Sequence, residues 1–344
     1  MIQLAVVMTK YIGFQEWQST GLLDREIRLY QDLDGIETIF YHDEENQVEC
    51  QGFQFKPKKH LHTDVIDVFK SNQFYGAEEA AEVARSRNLP FIFRCGYSWA
   101  EFERKKNISF LRKWSARRRE GKLARAVEAC VVSNTLDKQL FVDNYKVDKD
   151  KIFVHPNWVD VDLFSPDKTI EKKRCVISVG RLEEQKNHRL LIEAVAQLKN
   201  IALIIVGEGS LKQELLDQAK DLKVDLTIKA PMSHNNLKEL MSQASLFVLP
   251  STYEGLPKVL LETMALAVPA LCTSIPEVRE VIKEGWNGWY CSFSVQDMAK
   301  KIHTALVSDT TDISKNARQT IVDRFGLKKV KHMEVQLIKS LVSK

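Results

Sequence analysis

Residues 249–269 read LPSTYEGLPKVLLETMALAVP and carry two glutamates, Glu254 and Glu262. The apolar run SLFVLP predicts a strand, Glu254-Gly255 a turn, and Pro257 the first position of a helix, where a missing N–H costs nothing. A helix start presents unpaired N–H groups and a positive partial charge, which suits a phosphate. Glu262 follows Pro257 at about 7.5 Å along a helix axis, inside an apolar run. A carboxylate placed there needs a hydrogen-bond partner, and sugar hydroxyls at the same helix end would serve. Two glutamates at this spacing also arise by chance on a loop and a helix surface. The strand–turn–proline–helix setting favours a site.

A second group of candidates is Val179-Gly180-Arg181-Leu182-Glu183-Glu184-Gln185-Lys186-Asn187. It too follows a strand and opens a helix, and it brings Arg181 and Lys186 to a strand end. Arginine holds phosphate oxygens through a planar fork and lysine holds them as a point charge. The bland alternative is a solvated loop with ordinary charges. Val206-Gly207-Glu208-Gly209-Ser210 is a third strand-to-helix turn, a weak signal by itself.

The elements that must position these groups alternate between strand and helix. In the N-terminal half the expected strands are 2–7, 36–41, 63–69, 90–95 and 128–133, with helices over 19–33 and from about 76 to 87. In the second half, RCVISVG, IALIIVG, LTIKA, SLFVLP, PALCT and GWYCS are expected strands separated by helical connections. The alternation predicts an α/β fold with parallel sheets, and the near-continuous Val/Ile/Leu runs predict that helices cover both faces. The segment 153–173, with two prolines and a charged end, reads as the domain linker.

The chain has 344 residues, which suggests two domains. A composition of 44% hydrophobic and 28% charged residues excludes a disordered chain. Fifty Lys and Arg against 46 Asp and Glu leave a net charge of +4, too mild to mark a nucleic-acid binder, and no nucleic acid is expected as partner. No apolar run is long enough for a membrane span, and the first residues read as a strand instead of a signal peptide. The six cysteines form no C-x-x-C pair and read as reduced core thiols of a cytosolic protein. Asp160-Val161-Asp162 spells D-x-D but sits in the expected linker, and His60-Leu61-His62 is a poor metal site. No metal and no cofactor are expected.

VISVGRLEEQKN, LIIVGEGS and FVLPSTYEGLPKVLLETMALAVPAL, with PNWVDVDLFSP before them, together resemble the family 4 glycosyltransferases. These are retaining enzymes built from two facing Rossmann-like domains, the GT-B architecture. The likeness is good over about residues 125–300 and weak before them. It implies an acceptor-binding domain over 1–155, a nucleotide-sugar-binding domain over 156–326, and a final helix over 327–344 that returns to the first domain. It implies that Arg181 and Lys186 bind the donor diphosphate and stabilise the leaving group, aided by Gly180, Gly207, Pro257 and the N–H groups of Gly255 and Leu256. Glu254 would contact the donor sugar and act in catalysis, Glu262 would hold the ribose hydroxyls, and Met232 would lie against the base. The implied substrates are a nucleotide-diphospho sugar and a glycan or lipid-linked acceptor of envelope polysaccharide synthesis.

The chain departs from the family pattern at Trp158, at Ala267, in the run Arg94-Cys95-Gly96-Tyr97-Ser98, and in a first glycine loop reduced to Gly13 and Gly21. Acceptor-side candidates are therefore Gly21, Arg25, Arg94 and Tyr97, with Glu26 beside Arg25. An exposed charged pair on a helix is the plain alternative for Arg25 and Glu26. Residues 101–125 form a basic stretch with Phe110, Leu111 and Trp114 interleaved. Arg112, Lys113, Arg117, Arg118 and Arg119 could meet an anionic membrane at the inner face of a cell; the alternatives are that the stretch is a plain solvated helix face, that it binds RNA, or that it binds an anionic acceptor. Rival functions are another sugar-nucleotide enzyme of this fold, an epimerase or phosphorylase, or a non-catalytic membrane- or RNA-binding module.

Overall fold

A computed structural model describes the chain except residues 11–13, 20–21, 97, 102–108, 168 and 344; of Ser19 and Leu22 it describes the backbone alone. Gly13, Gly21 and Tyr97 therefore lie outside the described residues, as does the start of the basic stretch. The chain divides into two compact units, Met1–Pro156 with Lys328–Lys344, and Asn157–Leu327.

The first unit holds an eight-stranded sheet in the order β3-β4-β2-β1-β5-β6-β7-β8. The strands are β1 Ile2–Val7, β2 Ile36–His42, β3 Val48–Cys50, β4 Phe53–Pro57, β5 Val68–Ser71, β6 Phe91–Cys95, β7 Ala129–Val132 and β8 Ile152–Val154. All neighbouring strands are parallel except the β3–β4 hairpin. Its helices are α1 Phe14–Ser19, α2 Leu22–Tyr30, α3 Ala77–Ser86, α4 Phe110–Ala126 and α5 Thr135–Tyr145. Ala5, Val7, Phe69, Phe91, Phe93 and Cys130 share a core with α3, α4 and α5. On α2, Tyr30 meets Phe40 of β2 edge-on, with ring centroids 5.5 Å apart.

The second unit is a parallel six-stranded sheet in the order β11-β10-β9-β12-β13-β14. Its strands are β9 Lys173–Val179, β10 Ala202–Val206, β11 Leu226–Lys229, β12 Ala244–Leu249, β13 Ala270–Thr273 and β14 Trp289–Cys291. Its helices are α6 His188–Ala196, α7 Lys212–Asp221, α8 His234–Gln243, α9 Lys258–Ala265, α10 Pro276–Arg279, α11 Val295–Val307 and α12 Thr311–Phe325. Side chains of a strand alternate between faces, and each face here has its own core. Cys175, Ile177, Phe247 and Leu249 pack with α8, α9 and α12. Val176, Leu246 and Val248 pack with α6, α7 and α11. Burial on both faces explains why these strands read as unbroken apolar runs. Counted within this unit, the order is 3-2-1-4-5-6, the doubly wound order whose direction reverses between β9 and β12.

The last helix, α13 Leu327–Val342, begins where the second unit ends and packs its remainder into the first. Glu334 of α13 is 1% exposed and takes hydrogen bonds from Lys70 of β5 and from His155 Nδ1 at 2.9 Å. Burial opposes ionisation of this carboxyl, but the charges of Lys70, His155 and Arg94 outweigh it and hold Glu334 well below the usual carboxylate range.

Some local expectations need correction. The strand expected over 63–69 starts at Val68, because residues 63–67 turn around Asp64, whose carboxylate takes Tyr41 Oη at 2.9 Å and Lys56 Nζ at 2.8 Å. Of the helix expected over 19–33 the structure forms α2, Leu22–Tyr30, and Ser19 is the last residue of a separate helix, α1, that precedes it. The stretch 153–173 opens on the end of β8 and is not all linker. All six cysteines are free thiols; five are buried and Cys50 is half-buried.

Candidate active site

Two loops meet at the carboxyl ends of β9 and β12, the point where strand order reverses and where open α/β sheets bind ligands. The first runs from Gly180 to Asn187, through a short 3-10 turn at Glu184–Lys186. The second runs from Pro250 to Pro257. They are joined by one main-chain and one side-chain bond: Thr252 N–H donates to the Gln185 carbonyl at 2.9 Å, and the Gln185 side-chain Nε2 donates to the Tyr253 carbonyl at 2.9 Å.

At the centre of this junction Lys186 Nζ donates to Glu254 Oε1 at 2.5 Å, and Ser251 Oγ donates to the same oxygen at 2.6 Å. The side chains are 14% and 8% exposed for Lys186 and Glu254, so the pair is largely withdrawn from water. Gly180 makes this geometry possible. A Cβ on it would fall 2.9 Å from Lys186 Cε, where the lysine stem passes. Gly207 is required by the next loop, since a Cβ there would lie 2.0 Å from the Gly180 carbonyl oxygen. Leu182 N–H donates to the Glu208 carbonyl at 2.7 Å, and Ser210 donates its N–H and its hydroxyl to Glu183, each at 3.0 Å. The third glycine turn thus braces the first loop.

Arg181 is exposed, with Nη2 donating to Gln185 Oε1 at 3.3 Å. A cation on the open side of a largely buried ion pair can receive an anion without first losing a strong partner. Pro257 stands one position earlier than expected. It precedes the helix, with φ −71° and ψ 109°, and its carbonyl accepts from Leu260 and Leu261 at 3.2 and 3.4 Å. The N–H groups of Gly255 and Leu256 donate to no protein acceptor among the described residues, which leaves them available to an oxyanion. Asn157 Nδ2 holds the Leu256 carbonyl at 2.6 Å, while the Leu256 side chain is buried in the core. Glu262 is buried on α9 at 8% exposure, and Met232 lies half-buried against the same core.

Residues 160–320 match the family glycosyl transferases, group 1. The second unit is a group 1 glycosyltransferase domain. Among curated proteins, an Escherichia coli galactosyltransferase named for the acceptor α-D-GlcNAc-diphosphoundecaprenol is 27% identical over 273 residues, 72% of this chain and 68% of that protein. A Campylobacter jejuni 4-α-N-acetylgalactosaminyltransferase, named for a diphospho-undecaprenol acceptor, is 35% identical over 137 residues, 38% of this chain and 37% of its own. The alignments with these two thus span between 37% and 68% of the relatives' lengths. Anabaena HepE, solved with UDP and glucose, superimposes with a TM-score of 0.79 at 16% identity, over 99% of this chain and 100% of that one. Sucrose-phosphate synthase from Thermosynechococcus elongatus gives 0.80 at 13% identity over all of both chains. The fold of this glycosyltransferase-domain protein is therefore the GT-B fold that the resemblance implied.

Sequence reasoning overlooked Ser251, Gln185, Asn157 and His188. Ser251 precedes Glu254 by three residues inside the quoted motif, so its signal was present. Gln185 acts through its main chain and amide, and Asn157 lies far away in the chain; neither spacing nor composition marks them. His188 opens α6 beside Lys186, is 2% exposed, and its Nδ1 has no hydrogen-bond partner. Burial, and then the charge of Lys186, push its pKa down to about 4.

On the first unit, Arg94 of β6 does not face open solvent. Its guanidinium stands 3.6 Å from Glu26 on α2, with side chains 12% and 15% exposed. Arg25 is half-buried. The D-x-D pair is structural, since Asp160 Oδ1 accepts the N–H groups of Asp162 and Leu163, each at 3.1 Å. Among the described residues no cluster of His, Cys, Asp and Glu could hold a metal ion.

Proposed function

We propose that this protein is a retaining glycosyltransferase that moves a sugar from a nucleotide-diphospho sugar to a glycan or lipid-linked acceptor in envelope polysaccharide synthesis. The observation that carries this reading is the Lys186–Glu254 pair at the β9/β12 switch point, with Arg181 exposed beside it. Support also comes from the relatives, whose names specify sugar transfer to diphospho-undecaprenol acceptors, and from HepE, solved with UDP and glucose.

The step needs a stabilised leaving group more than a protein nucleophile. The bond from the sugar's anomeric carbon to the donor phosphate breaks, and a bond from that carbon to the acceptor hydroxyl oxygen forms on the same face. The hydroxyl proton passes to a phosphate oxygen of the departing nucleotide diphosphate. Arg181, Lys186 and the N–H groups of Gly255 and Leu256 meet the charge that develops on that phosphate. Glu254 contacts the sugar and orients Lys186, Glu262 receives the ribose hydroxyls, and Met232 lines the base. The reading assigns the charge to these residues instead of a metal, and transfer that continues in chelator is the corresponding check. In the same reading residues 1–155 bind the acceptor and 156–326 the donor.

The test is thermal stabilisation by UDP, GDP, ADP, CMP and TDP. A nucleotide at about 100 times its Kd adds about 2.7 kcal/mol. A shift with one nucleotide, lost in Arg181→Ala, is the expected result. No shift with any of them would overturn the donor site.

A further inference from the structure

The first half of α4 presents a face that its own domain leaves uncovered. Phe110 is 77% exposed, Leu111 75% and Trp114 51%. All three fall within about one turn of helix. Arg117 and Arg118 are exposed directly after them, and the Arg118 guanidinium lies over the Trp114 ring, 5.2 Å from its centroid. A cavity of about 280 Å³ opens beside them, walled by Trp114, Arg117, Arg118 and Arg125. Not every arginine of the helix belongs to this face. Arg119 is bound to Glu78 of α3 and lies over the rings of Phe74 and Trp99.

The opposite face of the helix is rigidly held. Ala116, Glu120, Gly121, Leu123 and Ala124 are buried. The Glu120 carboxylate takes Ser98 Oγ at 2.7 Å, the Trp99 N–H at 2.8 Å and Tyr145 Oη at 2.6 Å. The exposed apolar end is thus a feature of an anchored helix. Scattered apolar side chains on a surface need no explanation, but adjoining large ones beside a pair of cations do. Charge complementarity selects the occupant. An anionic bilayer offers an acyl boundary to Phe110, Leu111 and Trp114 and phosphates to the arginines, and tryptophan favours that interface. Among the described residues no helix is long and apolar enough to cross a membrane.

We propose that α4 docks this protein on an anionic lipid surface, with Phe110, Leu111 and Trp114 inserted at the headgroup boundary and Arg117 and Arg118 on lipid phosphates. The purpose of the docking rests on the lipid-linked acceptor of the preceding reading, but the binding does not. Co-sedimentation of the full chain with vesicles of phosphatidylcholine, alone or mixed with phosphatidylglycerol, tests it without donor or acceptor. The protein is expected to bind the mixed vesicles and ignore the neutral ones. Arg117→Ser with Arg118→Ser should weaken the partitioning roughly thirtyfold, the fold-change for about 1 kcal/mol per basic residue. Phe110→Ser, Leu111→Ser and Trp114→Ser together should lose at least about tenfold. Melting temperatures confirm that the variants fold, and Trp114→Ser alone replaces the triple variant if it does not. Indifference of the wild type to anionic vesicles, or variants that bind as well as wild type, overturns the proposal. So does self-association through this face without vesicle binding. Because no turnover is measured, failure here leaves the glycosyltransferase reading standing, and an inactive protein could still pass.

Discussion

Lys186 and Glu254, 68 residues apart in the chain, meet with ammonium and carboxylate 2.5 Å apart. The contact ties the loop after β9 to the loop after β12. It also sets the order of charge in the site: Glu254 pairs with Lys186, while the side-chain hydrogen bond of Arg181 among the described residues goes to the neutral Gln185 at 3.3 Å, with Glu183 near enough to feel its charge. Under the proposed function, an arriving donor phosphate would meet Arg181 first and then compete with Glu254 for the lysine.

This difference separates two substitutions. Arg181→Ala should leave the melting temperature nearly unchanged, because an exposed side chain with one weak bond is removed. It should lower kcat on the order of 100-fold or more, as loss of one preorganised charge partner does. Lys186→Ala should lower both, costing about 2 kcal/mol of stability because Glu254 is left largely buried without its cation. Parallel melts and turnover measurements check the pair; equal losses of stability would refute the ordering.

Ser251 is fully buried and shares Glu254 Oε1 with Lys186. Ser251→Ala removes one of the two donors that orient the carboxylate. The expected loss is about 1 kcal/mol of stability and roughly tenfold in kcat, with donor KM little changed. Steady-state kinetics on the variant would show a KM effect instead if the serine only shaped donor binding.

Gly207→Ala should be among the most damaging small changes in the second domain. The added carbon would fall 2.0 Å from the Gly180 carbonyl, a backbone atom that no rotamer change can move. Overpacking of this kind costs about 3 kcal/mol or more, and the displaced Gly180 would carry Arg181 with it. Chemical denaturation measures the first effect and nucleotide binding the second.

His188 makes stability depend on pH. Its pKa of about 4 lies below the ordinary 6.5, so the unfolded chain binds the proton more readily than the folded one. Stability from this residue is complete above pH 6.5 and falls as pH drops toward 4, by about 3 kcal/mol across that window. In His188→Gln the decline between those values should be shallower than in wild type. Identical slopes in paired denaturation curves would dismiss the effect.

The N-terminal half shows where sequence reading fails. The β3–β4 hairpin was not anticipated, because VEC and FQFKP are short, mixed segments that become strands by pairing at a sheet edge. The true β5 contains Lys70, a residue that argues against a buried strand until its partner is known. That partner is Glu334, 264 residues away. The basic stretch likewise hid Glu120, a buried acid whose bonds decide which way the helix faces.

Sequence alone determined what depends on neighbours along the chain. Apolar runs buried on both faces read as strands of a parallel sheet, alternation with helices as an α/β fold, and glycine at strand ends as turns, because each follows from local periodicity and local backbone freedom. Tertiary structure decided what depends on strand order. Only the placement of β12 beside β9 brings Ser251 and Glu254 to Lys186, and only the packing of α4 leaves Phe110, Leu111 and Trp114 outside while burying Glu120. Those outcomes are set by contacts between segments tens to hundreds of residues apart, and no local pattern encodes them.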